Sequence, residues 1–351
     1  MSREQTMTIN RLPAPTYRWL NMNAVKAESF SGGSAGVKES HTEGIIFHET
    51  TYDPGRIAAN MGEEFDAIFS ASGCSMGSYS IPADRKEGFI RRVYSLKDAD
   101  ALSPIRVEVK ENAECTIILC INGQGVKEVE KALHFASQVR ATIGDGAALK
   151  LVEVVMAPGY DVFCDIGVEA AKNSSFELVQ LFLTAKRTYS GCRCELLGEA
   201  ASMEADIAYH VASESLDMNY IANHWGRKTT SRMNAAGVLK SGAEKLFRGT
   251  IDFKRGAKGA IGNEQEDVLL LDEQVINRTI PLILCAEEDV EGNHGATIGK
   301  LAADLLFYLQ SRGLSTEEIY EMMARARLEA VARRIGDTET EEAIWDCYSA
   351  L

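Results

Sequence analysis

Between Ala147 and Tyr209, apolar and polar residues alternate in short runs that return at a fixed interval. Ala147-Ala148-Leu149-Lys150-Leu151-Val152-Glu153-Val154-Val155 lies over Ser174-Ser175-Phe176-Glu177-Leu178-Val179-Gln180-Leu181-Phe182. Ala201-Ser202-Met203-Glu204-Ala205-Asp206-Ile207-Ala208-Tyr209 follows, and the starts are 27 residues apart twice over. Each run opens on two small residues and then takes the two-residue period of a strand. Turn formers precede each one: Gly144-Asp145-Gly146, Lys172-Asn173 and Gly198-Glu199. Second strands fall between them at Tyr160–Val168, Arg187–Leu196 and Leu216–His224, with starts 27 and 29 residues apart. Two strands per repeat at this period predict a parallel β-helix, in which no rung buries its inner face alone and stacked rungs do. Equivalent inward positions such as Leu149, Phe176 and Met203 then form one apolar ladder. The pattern runs from about Ile105-Arg106-Val107-Glu108-Val109 to Val268-Leu269-Leu270-Leu271. An antiparallel sandwich also yields short strands between turns, and the constant offset is what favours the solenoid.

The texture changes after Gly295. Leu301, Leu305, Tyr308 and Leu309 have helical spacing, and Gly313 stands where a helix C-terminal glycine belongs. Ser315-Thr316-Glu317-Glu318 reads as a capping box opening a second helix with the apolar stripe Ile319, Met322, Met323, Ala326 and Ala330. These helices are expected to cap the solenoid's open end or to present a docking surface. Before residue 80 the chain reads as irregular, with a Gly-Ser run at Ser31–Gly36 and a short helix near Gly62–Phe69. The expected organisation is mainly β: an irregular, partly helical region 1–80, a parallel β-helix 81–297 and a helical subdomain 298–351.

Composition narrows the function. A net charge of −14 argues against nucleic acid and against an anionic membrane surface, since both recruit Lys and Arg. The longest apolar stretch, Ile280–Ala286, is too short to span a bilayer, and Met1–Gln5 leads into no signal-like apolar segment, so the expected location is the cytoplasm. The eight cysteines are scattered with no C-x-x-C pair and are expected to be reduced. Cys192 and Cys194 share one strand face, which is a weak metal site without a third ligand. No Walker-type loop, G-x-S-x-G elbow or H-E-x-x-H is present, so ATP chemistry would belong to a partner.

Arg232-Met233-Asn234, Phe247-Arg248-Gly249, Glu264-Gln265-Glu266-Asp267, Asn293-His294-Gly295-Ala296-Thr297-Ile298-Gly299 and Phe307-Tyr308-Leu309-Gln310-Ser311-Arg312-Gly313 occur in that order. Together they resemble the SufB/SufD family of iron–sulfur cluster assembly proteins, over roughly Tyr209 to Val331. The resemblance implies a right-handed parallel β-helix whose C-terminal helices bind the ATPase SufC, and whose C-terminal rungs pair with a second β-helix around a nascent cluster. Gly295 after the histidine resembles SufD, because SufB carries a Glu there. The cluster-binding Cys of SufB falls near Val275, so both SufB hallmarks are missing.

On this resemblance His294 is the candidate iron or cluster ligand, since a neutral imidazole is a competent iron ligand. Taken alone it reads as a histidine bonded to the strand-to-helix turn. Cys285 is a candidate second ligand. Glu287-Glu288-Asp289 with Glu291 is a carboxylate run, more simply a solvated face, and His224-Trp225-Gly226 reads as a rung corner. Leu305, Tyr308, Gln310, Arg312, Gly313, Ile319, Met322 and Met323 are the candidate ATPase-docking residues. The expected function is that of a SufD-like, non-catalytic scaffold with no tightly bound cofactor, holding iron or a cluster transiently with a partner. That partner is a SufB-like subunit or a second copy. A homodimeric scaffold of a two-component system and a β-helix carbohydrate enzyme are the rival readings.

Overall fold

The computed structural model describes residues 6–15, 18–97, 99–123 and 132–351. β1 (Thr6–Ile9) and β2 (Val25–Glu28) form an antiparallel ribbon. β3 (Gly33–Ser34), β4 (Val37–His41), β5 (Ile46–Thr51) and α1 (Glu63–Ser72) follow. The solenoid itself comprises β6 (Ser75–Ile81), β7 (Gly88–Ser95), β8 (Ala101–Val109), β9 (Glu114–Asn122), β10 (Leu133–Ile143), β11 (Ala148–Ala170) and β12 (Ser175–Leu196). It continues through β13 (Ser202–Ala212), β14 (Ser215–His224), β15 (Thr230–Lys240), β16 (Glu244–Phe253), β17 (Ala260–Leu270), β18 (Ile276–Cys285) and β19 (Val290–Gly299). The tail is α2 (Ala303–Ser311), α3 (Thr316–Ala332) and α4 (Thr338–Tyr348).

Every pairing within the solenoid is parallel, and the strands divide into two faces of about eight rungs. β6, β8, β10, the second halves of β11 and β12, β14, β16 and β18 make the first face. β7, β9, the first halves of β11 and β12, β13, β15, β17 and β19 make the second. The predicted ladder is present: Leu149 is in register with Phe176 and Phe176 with Met203, all buried in the shared interior. The rungs run from Ser75 to Gly299, beyond both limits of the sequence pattern. In the later rungs the register offset grows, from 27 between Ser175 and Ser202 to 31 between Thr230 and Ile261, so the fixed interval fades. The last rung also lies against solvent and loses its apolar alternation.

Both outer faces are covered. α1 and the β1–β2 ribbon pack Met7, Ile9, Phe65 and Phe69 onto Leu102, Ala136, Phe163 and Tyr189 of the first face. α3 and α4 pack Leu328, Ile335, Ile344 and Cys347 onto Ile118, Val152, Val154, Val179 and Leu181 of the second. Arg334 adds ion pairs to Glu177 at 3.1 Å and Glu204 at 2.8 Å and reaches Asp206 as well. The capping box holds as read, with Ser315 Oγ accepting from the Glu318 N–H and the Glu318 carboxylate accepting from the Ser315 N–H. Of the two placements expected for the tail helices, capping the open end is therefore ruled out: α3 and α4 fold back along the barrel wall.

The two ends differ. At the N-terminal end, β5 pairs antiparallel with β6 and β4 antiparallel with β7, closing both edges. The region read as irregular is thus a strand cap with a helix on the wall. At the C-terminal end, among the described residues, β18 pairs with β16 alone and β19 with β17 alone, leaving two open strand edges. Exposed edges of this kind are pairing surfaces unless something blocks them.

Candidate functional site

His294 sits on β19, in the open terminal rung, and its side chain is exposed. Its register partner is Glu264 on β17, so the two share the inward phase of the second face. Glu264 lies under the mouth in the space left by Gly249, where a Cβ would come within 2.2 Å of its carboxylate oxygen. Burial, reinforced by Glu266, pushes the Glu264 carboxyl up to about 8. Glu266 is held by an ion pair to the buried Lys245 and accepts from Thr279 Oγ1 at 2.6 Å. Burial lowers the Lys245 ammonium, with Glu266 opposing. A polar layer made of the Lys245–Glu266 ion pair and the Glu264 carboxyl therefore floors the mouth whose rim carries His294.

Cys285 is also exposed, but it ends β18 on the opposite face, and its Sγ contacts the Glu287 carbonyl at 3.0 Å. The corner 286–289 and four residues of β19 separate it from His294, about 13 Å along the strand alone. The structure does not bring these candidate ligands together. Among the described residues no three His, Cys, Asp or Glu side chains gather at one point to hold a metal ion. Cys192 and Cys194 both face the interior, fully buried, and burial holds both thiols well above their ordinary range. The carboxylate run lies at the corner, where Glu287 accepts from the Gly256 N–H at 3.0 Å and is lowered by that bond. His224 ends β14 as a rung corner, bonded to Thr229 at 2.8 Å and Ser231 at 2.9 Å, with burial lowering it to about 4.

Residues 95–327 match the family described as SUF system FeS cluster assembly, SufBD core domain, a span that runs from the end of β7 through β19 and α2 into α3. The chain belongs to the SufBD family of iron–sulfur cluster assembly proteins. The iron-sulfur cluster assembly SufBD family proteins of Staphylococcus epidermidis and Staphylococcus aureus strain USA300 are each 32% identical over 165 residues. The match covers 47% of this chain and 36% of either relative, so the chain spans about a third of the curated relatives it matches. In this SufBD protein no helix among the described residues is long and apolar enough to cross a membrane.

The tail residues separate into two groups. α2 has no buried residue, and Leu305, Tyr308 and, on α3, Met322 are exposed. Gln310, Arg312 and Gly313 are exposed at the turn, where Gln310 Nε2 donates to Thr316 Oγ1 at 3.0 Å and the Arg312 guanidinium lies 5.2 Å from the Tyr308 ring. Gly313 adopts φ +93, which explains the glycine after the helix. Ile319, by contrast, is fully buried, and Met323 packs against Val238, Leu269 and Ala324. These two serve the chain's own core, because the helix turns that stripe toward the solenoid wall. Phe307, the most exposed apolar side chain of α2 at 74%, was not singled out in sequence, although it belongs to the Phe307–Gly313 motif.

Proposed function

We propose that this protein is a SufD-like scaffold subunit of a SUF-type complex, non-catalytic itself, which docks a SufC-like ATPase and assembles a cluster with a second β-solenoid. The observation that carries the reading is the asymmetry of the ends: one is closed by antiparallel strands, the other is open with His294 on its terminal strand. Open strand edges favour pairing with a like edge, and His294 alone supplies too few donors for iron. Residues from a partner at the same rim complete the set. Iron and the cluster are cargo here, held transiently.

α2 fits the ATPase dock, since a helix that buries nothing at home and exposes Leu305, Phe307 and Tyr308 has its apolar face free for a partner. Nucleotide-driven closure of paired ATPase subunits would then be transmitted through α2 to the paired solenoids. The family match supports a role in assembly, and Gly295 in place of Glu favours SufD over SufB. The test is anaerobic co-expression with a SufC-like ATPase followed by size exclusion. Wild type co-elutes with the ATPase, and F307E/Y308E does not, while keeping its fold. An ATPase that still co-elutes with the variant removes α2 as the dock. Truncating the tail is a poorer experiment, because α3 and α4 cover apolar wall.

A further inference from the structure

Two carboxyls reach the interior one level below the open rung, and they are held very differently. Glu266 is saturated: it pairs with the buried Lys245, accepts from Thr279 Oγ1 at 2.6 Å and from the Tyr209 hydroxyl at 3.4 Å. Glu264 is 5% exposed, and among the described residues no donor hydrogen-bonds its carboxyl. Lys245, the cation whose charge it feels, is already engaged by Glu266 and by Thr279 Oγ1 at 3.2 Å. Buried polar groups are nearly always bonded, because an unbonded one has lost its water for nothing. The Glu264 carboxyl is thus a buried acceptor kept without a partner.

What lies above it follows from the register. β17 and β19 are neighbouring parallel strands, about 4.8 Å apart, and Glu264 is paired with His294 in the inward phase. Across the interior Glu264 faces Gly249, whose missing side chain leaves the carboxyl its place. One rung up, the register partner of Gly249 is Pro281. A Cβ on Gly292, two residues before His294, would stand 3.1 Å from Ile283, two residues after Pro281. His294 therefore sits over the Glu264 carboxyl with the proline ring opposite. The imidazole is exposed and, among the described residues, makes no hydrogen bond, so it does not brace the strand-to-helix turn.

We propose that Glu264 is the second iron ligand of this chain, binding Fe(II) together with His294 from inside the mouth. This rests on the reading of His294 as a cargo residue, and deepens it by adding a donor from the rung below the rim. An imidazole and a carboxylate one strand apart on one face are a donor pair suited to Fe(II). The ion displaces the carboxyl proton into solvent and leaves its remaining positions to water or to donors of a partner. Glu266 is not available for this role, since Lys245 and Thr279 hold it.

The experiment is anaerobic calorimetric titration of Fe(II) into the full chain, comparing wild type, E264Q, H294A and the double variant, with thermal melts to check that each is folded. Gln keeps the size of the side chain and removes only the carboxylate. Wild type is expected to bind one Fe(II). E264Q and H294A are each expected to weaken binding by about tenfold or more, the scale on which even outer-shell partners act. The double variant is expected to bind no more weakly than the weaker single variant, since either loss breaks the same site. E264Q binding as wild type overturns Glu264 as a ligand, and a loss confined to H294A then leaves the reading of His294 standing. Additive losses put the two residues on separate sites and overturn the pair. A wild-type chain that takes up no Fe(II) overturns the two-ligand site, while the cluster content of the ATPase complex still tests His294 on its own.

Discussion

At the residue scale, polar groups inside the solenoid set its pH behaviour. Glu153 lies in phase with Leu149 and Leu151, which places its carboxyl in the interior. It accepts from Gln180 Nε2 at 2.6 Å and Ser137 Oγ at 3.1 Å, and neither of these partners is a cation. Burial pushes it up to about 7, with those hydrogen bonds opposing the shift. A carboxyl raised on folding binds a proton more tightly in the native state. Its contribution is therefore fully present below the ordinary Glu range and is lost as pH rises through about 7. Between pH 5 and 8 this amounts to roughly 2.5 kcal/mol. Glu153→Gln should flatten the decline in chemical-denaturation stability over that window relative to wild type. An unchanged slope would show that Glu153 does not titrate there. Nearer the mouth, Lys245→Met leaves Glu266 without its cation in a buried layer, and a loss of about 3–5 kcal/mol is expected on denaturant unfolding.

At the scale of elements, the tail owes its position to the wall it covers. Val152 and Val154 point outward on β11 while Leu149 and Leu151 point inward, so this strand is apolar on both sides. The continuous run at Leu151–Val155, interrupted only by Glu153, carries that information in the sequence: a strand buried on both faces reads as a nearly unbroken apolar stretch. The interior ladder was legible because rung length is constant in the middle of the chain. The helices themselves were legible from the capping box and from Gly313, but their destination was not. Spacing marks Ile319 and Met323 as apolar without saying whether a partner or the chain's own wall covers them. The N-terminal strands escaped notice because capping strands such as Val37–His41 are polar and mostly exposed, with no repeat to align them. His294 was legible only through its motif, and Phe307 only from its exposure in the fold. Ile344 of α4 is fully buried on the second face. Ile344→Ala is expected to cost about 2–4 kcal/mol, read as a lowered unfolding midpoint. A near-zero change would mean that α4 rests loosely on the wall.

At the scale of the molecule, two groups of exposed large apolar side chains bear on the proposed function, apart from others such as Val37, Ile46, Leu197 and Trp225. One is the open end, with Ile276 and Ile298; the other is α2 with the start of α3, with Leu305, Phe307, Tyr308 and Met322. The walls between them are covered by the chain's own helices and ribbon. This division suits a scaffold that holds a motor on one patch and a second solenoid on the other. The floor of Lys245, Glu264 and Glu266 adds a polar layer below His294, where Gly249 leaves room for the Glu264 carboxyl. His294, at this rim, is proposed to take part in holding the cargo. Its most direct test is the iron and acid-labile sulfide content of the anaerobically purified complex with the ATPase, for wild type and H294A. The account predicts a cluster in the wild-type complex and loss of most of it in H294A, with both subunits still bound. Equal iron and sulfide in the two complexes would contradict it.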